Sequence, residues 1–238
     1  MRLKKIFFIS ATIAVVGVFL MIAGCGQKSN ELNLPEQETK QLNAAKAGMD
    51  KEANPNAIVK AAPASGEFKK FYVYADQGYF RNHYVPSGWM GDYGDLKFND
   101  AWSYDPYSRR TCIRVVYTAE KKQGAGWAGI YWQDPPNNWG NMKGGYDFMG
   151  AKKVTFWAKG EKGQEIIAEF KVGGIQGEYS DTASTSIGPV TLTPEWKEYT
   201  IDLKNEDLSL VTGGFCFVIS SSDNPQGVIF YLDDIAYE

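Results

Sequence analysis

Residues 152–172 read KKVTFWAKGEKGQEIIAEFKV. Apolar and polar side chains alternate from Lys152 to Lys159 and again from Glu165 to Val172, with Gly160-Glu161-Lys162-Gly163 between them. A period of two is what a strand with one buried face requires. Glycine at the turn between two such runs signals a hairpin, so the stretch predicts two neighbouring antiparallel strands.

The same pattern extends outward in both directions. Phe68–Ala75 (FKKFYVYA) reads as a first strand, and residues 76–108 as loops rich in Gly, Pro, Asn and Asp. Thr111–Ala119 alternates, with Ile113, Val115 and Tyr117 on one side and Arg114 on the other. Gly126–Gln133 is an aromatic-rich strand, followed beyond the predicted hairpin by Gly188–Leu192, Lys197–Leu203, Phe215–Ser220 and Val228–Tyr237. About eight strands without a helical period imply an all-β fold, an antiparallel β-sandwich.

The first residues carry a different message. Arg2, Lys4 and Lys5 precede an uncharged apolar run, Ile6–Ile22, which ends in Ile22-Ala23-Gly24-Cys25. This resembles a lipoprotein signal peptide with its lipobox, which implies cleavage after residue 24 and lipidation of Cys25. The competing reading is a single-pass anchor, since a membrane span needs about 20 apolar residues. Gly26 stands where inner-membrane retention rules look for Asp, so the resemblance implies an envelope location, at the outer membrane in a diderm cell. Residues 25–66 lack Trp, Tyr and Phe. Such a segment cannot bury enough apolar area to offset its ordering entropy and is expected to act as a flexible tether. All seven Trp and all fourteen Tyr fall after it, so residues 67–238 are read as one domain. The net charge of −3, with scattered Lys and Arg, excludes the clustered basic face of a nucleic-acid-binding protein. Besides Cys25 there are Cys112 and Cys216, each in an apolar run, either paired or buried as small hydrophobes.

FWAKGEKGQEIIAEFKVGG, LTPEWKEYTIDL and the terminal FYLDDIAYE together resemble carbohydrate-binding modules of the jelly-roll, galactose-binding-domain-like kind. The resemblance spans most of residues 146–238 and implies a polysaccharide or oligosaccharide partner. It also implies a structural Ca²⁺ between the first and last strands, for which Asp76, Asp233 and Asp234 are the matching carboxylates.

The binding chemistry is read from Gly124–Gly140, GAGWAGIYWQDPPNNWG. Indole faces suit the C–H faces of sugar rings, and amides suit their hydroxyls. Trp127, Tyr131, Trp132, Gln133, Asn138 and Trp139 are therefore candidate ligand contacts, with Trp89 as a rim residue. Alternation places Trp127 and Tyr131 on one face and Ala128, Ile130 and Trp132 on the other. The more apolar triplet is the better core, which puts Trp127 and Tyr131 outside. For each tryptophan, core packing is the competing role. Glu169 and Lys171 are candidate polar contacts. No catalytic constellation is visible: His83 is the only histidine, and no G-x-S-x-G or phosphate-cradling motif occurs. Two readings compete with glycan binding, an envelope protein–protein interaction module and a glycan-active hydrolase or lyase.

Overall fold

The structure, a computed structural model, describes residues 67–238. The signal peptide (1–24), the lipidation site Cys25 and the tether (25–66) lie outside the described residues.

Thirteen strands follow in chain order: β1 (Phe71–Tyr74), β2 (Val85–Gly91), β3 (Leu96–Trp102), β4 (Cys112–Tyr117), β5 (Trp127–Gln133), β6 (Lys153–Gly160), β7 (Ile166–Ile167), β8 (Glu169–Gly173), β9 (Ser184–Ile187), β10 (Val190–Thr191), β11 (Lys197–Asp202), β12 (Gly213–Ser220) and β13 (Val228–Tyr237). Among the described residues the only helical element is a 3-10 turn at Tyr93–Asp95. One sheet, here sheet A, runs β11-β6-β13-β4-β3, with β1 also paired to β13. Sheet B runs β2-β5-β12-β8-β9, and β7 and β10 form a small ribbon. Every strand pairing is antiparallel. The fold is an antiparallel β-sandwich of the jelly-roll kind.

The core is what alternation along facing strands produces. Trp132 of sheet B packs edge-on to Phe98 of sheet A at 5.8 Å and to Phe215 at 5.6 Å between ring centres. Phe156 of sheet A meets Phe170 at 4.6 Å and Phe215 at 5.1 Å. Such edge-to-face contacts contribute about 0.5–1.5 kcal/mol beyond burial of area alone. A second aromatic group closes one end. There Phe71 stacks on the His83 ring at 3.8 Å, and Phe148 stacks on Tyr237 at 3.8 Å.

The predicted hairpin is corrected. Its arms belong to opposite sheets, since β6 pairs with β11 and β13, whereas β8 pairs with β12 and β9. The intervening segment is a corner that carries the chain across the sandwich. Buried Glu165 holds it by accepting the backbone N–H groups of Lys162 (2.8 Å), Gly163 (2.8 Å) and Gln164 (2.9 Å). Both arms alternate because both face one core, and facing strands of two sheets carry the same pattern as hairpin partners. The loop-rich reading of residues 76–108 is corrected as well, because β2 and β3 lie there.

Phe215 is fully buried against three aromatic rings. Phe215→Ala is expected to lower the unfolding free energy by about 3–5 kcal/mol, the usual cost of emptying a phenylalanine site. Urea titration followed by tryptophan fluorescence measures it.

Candidate functional site

Strand β5 decides which side chains the outer face of sheet B presents. Ala128, Ile130 and Trp132 are buried in the core at 0%, 0% and 1% exposure. The strand period then turns Trp127, Gly129 and Tyr131 outward. The neighbouring strands continue the face in register. Gly88, Tyr131, Cys216, Lys171 and Ser186 form one row across the sheet. Met90, Gly129, Val218 and Glu169 form the next, and Trp127 stands opposite Ser220 beyond it.

Within this frame Trp127 is 38% exposed and Tyr131 only 7%. The Tyr131 hydroxyl donates to the Gly173 carbonyl at 2.9 Å, which fixes the ring as floor. Trp139, 42% exposed, stands edge-on to Tyr131 at 6.0 Å and 85°. Gly129 keeps the floor low between Trp127 and Tyr131, since a Cβ there would come within 2.6 Å of the Phe217 carbonyl oxygen. Glu169 and Lys171 border the face, and among the described residues neither has an ion-pair partner.

Other expected contacts are corrected. Trp132 lies in the core, where no ligand reaches its ring. Gln133 and Asn138 are fully buried, and their amides hold the loop that carries Trp139. Gln133 Nε2 donates to the Asn138 carbonyl at 2.9 Å, and Ser87 Oγ donates to Gln133 Oε1 at 2.9 Å. The Asn138 side chain accepts from the N–H groups of Gly140 (3.0 Å) and Met142 (3.2 Å) and donates to the Met142 carbonyl at 2.8 Å. A buried amide left without such partners would cost about 1–3 kcal/mol. Trp89 is 38% exposed but pairs with Ile130, so its ring leaves on the side of the other sheet and packs against Phe98 at 6.1 Å.

Two carboxylates, Asp92 fully buried and Asp181 partly so, shape the approaches to the face. Asp92 accepts the N–H groups of Gln123 (2.8 Å), Ala125 (3.0 Å) and Gly126 (2.6 Å) from the loop that enters β5 at Trp127. Burial pushes its carboxyl up, but those backbone donors outweigh it and hold the group below the usual carboxylate range. Asp181 accepts from Ile175, Thr212 and Gly213 and closes the loop beside Trp139; there burial prevails and the carboxyl is raised. Neither Asp92 nor Asp181 draws attention in a sequence, because nothing local marks which carboxylate will find distant backbone donors. Met90, Cys216 and Val218, which floor the face, were likewise legible only once strand parity and pairing were known.

Cys112 and Cys216 are free, buried and in different sheets. Burial pushes the Cys112 thiol up to about 12 and the Cys216 thiol well above its ordinary value. The carboxylates expected to hold calcium are taken by protein donors. Asp76 accepts from the Thr111 hydroxyl, the Gln77 N–H (3.1 Å) and Arg110 Nε (3.2 Å). Asp233 accepts from the Ser108 N–H (3.0 Å) and the Asp234 N–H (2.8 Å), and Asp234 pairs with Arg109 at 2.6 Å. Calcium needs six to eight oxygens. A set in which two of the three carboxylates are already paired with guanidinium groups does not fit it. Among the described residues no group of three or more His, Cys, Asp or Glu side chains is placed to hold a metal ion. His83 is committed too, with Nδ1 3.1 Å from the Tyr72 carbonyl.

No protein-family model matches the chain, and no curated protein matches it. Among solved structures it is similar to a family 30 carbohydrate-binding module, at 18% identity over 72% of this chain and 89% of that one, with a TM-score of 0.49. It is also similar to a family 11 carbohydrate-binding module from Clostridium thermocellum in complex with a β-1,3-1,4-mixed-linked tetrasaccharide. That match has 15% identity, covers 71% of this chain and 94% of that one, and has a TM-score of 0.49.

Two outcomes follow for this site. Asp92 is depressed in the folded state, so its stabilisation is complete above the unfolded value of about 3.9 and is lost as pH falls through the lower folded value. Asp92→Asn is therefore expected to lower the melting temperature at neutral pH and to flatten its decline on acidification, read from thermal melts across acid pH. Iodoacetamide at mildly alkaline pH is expected to leave Cys112 and Cys216 unmodified in the folded protein and to modify both in denaturant, read by peptide mass mapping.

Proposed function

We propose that this chain is a non-catalytic carbohydrate-binding protein held at the cell envelope by a lipid on Cys25. Glycan lies across the outer face of sheet B, over Trp127, Tyr131 and Trp139. The observation that carries this reading is the pair of exposed indoles, Trp127 and Trp139, on one open sheet face with a fixed tyrosine between them. Rings held in place by strand register and a buried amide network lose little freedom when a ligand stacks on them, so more of the contact energy appears as affinity. Lys171, Glu169, Ser186 and Ser220 stand within the same rows to address hydroxyl groups.

Absence of catalysis is part of the proposal. Glycoside hydrolysis ordinarily requires two carboxyl groups flanking the scissile bond. Among the strand residues of this face Glu169 is the one acid, and His83 is stacked on Phe71 at the end of the sandwich. The anchor rests on the sequence Ile22-Ala23-Gly24-Cys25. Two lipid-linked signals or more hold a protein stably, at about 0.8 kcal/mol per buried CH₂.

A glycan array followed by calorimetry on the full chain tests the binding. Trp127→Ala and Trp139→Ala are each expected to weaken binding by about 1–2 kcal/mol, roughly ten-fold, and together to abolish it, with the melting temperature retained. Trp89→Ala is expected to leave affinity unchanged. No glycan bound by the folded wild-type protein would refute the reading. For the anchor, Cys25→Ser is expected to move the protein from the membrane to the soluble fraction, read by fractionation of expressing cells.

A further inference from the structure

Where the described chain begins, beside β1, the outer side of sheet A carries an alternating run of cations and rings. Phe71 packs inward on Tyr84, Tyr146 and Phe148, so strand alternation turns Tyr72 outward. Lys70 Nζ lies 5.4 Å from the Tyr72 ring centre. The Arg109 guanidinium lies 5.2 Å from the same ring and 5.0 Å from that of Tyr79. Tyr79 stands edge-on to Tyr72 at 6.0 Å and to Phe80 at 5.1 Å, and the Arg81 guanidinium lies 5.3 Å from the Phe80 ring centre. Phe80 is 81% exposed, more than any other large apolar side chain among the described residues.

The loop holds this ring outward. Asn82 Oδ1 accepts the Ala75 N–H at 3.0 Å, and Asn82 Nδ2 donates to the Asp76 carbonyl at 2.8 Å. Within the turn the Tyr79 N–H donates to the Asp76 carbonyl at 3.1 Å and the Asn82 N–H to the Tyr79 carbonyl at 2.9 Å. The surrounding charges nearly cancel. Glu238, Asp234 and Asp76 pair with Lys70, Arg109 and Arg110, while exposed Glu67 stands two residues from exposed Lys69. Among the described residues Arg81 has no carboxylate partner within ion-pair distance. The patch is therefore aromatic with a cationic fringe, and close to neutral.

We infer that this patch seats the domain on the lipid surface to which Cys25 is anchored, with Phe80 entering the boundary between headgroups and acyl chains. The inference rests on the lipid anchor proposed above. Apolar rings belong at that boundary, tyrosines at headgroup depth, and long cationic side chains reach from there to phosphate. The sequence outside the described residues points to this occupant. Residues 26–66 join Cys25 to the domain, which begins at Glu67, three residues before Lys70 of the patch. A flexible chain of about 40 residues spans roughly 35 Å, and tethering at such distances makes a weak contact effective. A protein partner is the poorer fit. Three rings of at most roughly 150–250 Å² each, two of them half-buried, fall short of the roughly 800 Å² per partner of a stable interface. The patch shares no residue with the Trp127–Trp139 face, so seating the domain in this way leaves that face uncovered.

The experiment uses the full chain, lipidated by the expressing cell and reconstituted into phosphatidylcholine vesicles that carry a nitroxide quencher high on the acyl chain. Cys112 and Cys216 are buried, so a thiol-reactive fluorophore marks only an added cysteine. Gln77→Cys places it on the Phe80 loop and Ser186→Cys on the outer face of sheet B, both at exposed positions. The lipid quencher is expected to dim the position 77 probe about two-fold or more, since a seated ring lies roughly 5–10 Å into the boundary, and to leave the position 186 probe unchanged. Phe80→Ser is expected to abolish the dimming at 77 while the protein stays on the vesicles. Added salt is expected to leave the dimming in place, because the patch is close to neutral. Equal dimming at 77 and 186 overturns the inference, as does dimming at 77 that survives Phe80→Ser. A position 77 probe shielded from aqueous iodide but untouched by the lipid quencher overturns it in favour of a protein partner. Protein that floats with the vesicles while its position 77 probe stays bright refutes the seating and leaves the anchor standing; protein that does not float refutes the anchor and the seating together.

Discussion

The burial of Trp132 sets the parity of strand β5 in sheet B, and the outer face follows from it. The indole lies among Phe98, Phe215 and Phe217, rings drawn from both sheets. A strand side chain can occupy only one side of its sheet, so fixing Trp132 inward fixes Trp127 and Tyr131 outward. A one-residue slip of β5 would bury Tyr131 and expose Trp132 and Ile130, which places the cost of any other register in the core. The outer face is thus specified by what lies behind it. The same holds on sheet A, where buried Ile113, Val115 and Tyr117 leave Arg114 and Val116 on the outside.

Parity was legible in the sequence, and pairing was not. The alternation of β4, β5, β6 and β13 gave the sandwich and the outward direction of Trp127 and Tyr131. Alternation cannot report whether two successive strands lie side by side or face to face across a core. Val154, Phe156 and Ala158 alternate as Phe170 and Val172 do because both sets fill one interior. Glu165, which turns the chain between sheets, looks like any polar turn residue until its three backbone donors are seen. Strand β2 escaped for a related reason. VPSGWMG carries proline and glycine, which mark turns in most contexts, yet an edge strand tolerates both. Trp89 was therefore placed in a loop, when its strand position directs it toward Phe98. Gln133 and Asn138 have the composition of sugar-binding amides, and only the fold shows that their donors and acceptors are already spent on the Trp139 loop.

A single device recurs wherever a loop must keep a shape without help from a sheet. Asp92, Asp181 and Glu165 are each placed beneath a loop, where each collects three backbone N–H groups. Bonds of this kind are charge-assisted and stronger than neutral ones, and they satisfy donors that a tight loop would otherwise leave unpaired. The loops entering Trp127 and lying beside Trp139 are both held this way. Exposed aromatic rings on flexible loops would lose conformational entropy on every binding event. Rings on loops pinned by these carboxylates have lost it at folding.

The two outer faces differ because their strands spend polar side chains differently. On sheet B the floor is apolar and closed: Tyr131, Cys216 and Ile175 cluster together with Met90 and Val218 against them, and the one strand acid stands a row away from the one strand lysine. Such a surface offers shape and apolar area, with little charge. On sheet A the loop 103–109 brings Tyr107 into face-to-face contact with Trp157 at 3.6 Å and ties Asp105 to Lys159. That contact covers the Trp157 ring and leaves the region of Arg114, Val116 and Ile229 as the open part of the face. The interior separates the two faces by a close-packed layer of aromatic rings, in which a change of one side chain is resisted by its neighbours. The connections that leave β4 for β5 and β12 for β13 join the two faces at the rim, so they are opposite sides of one frame.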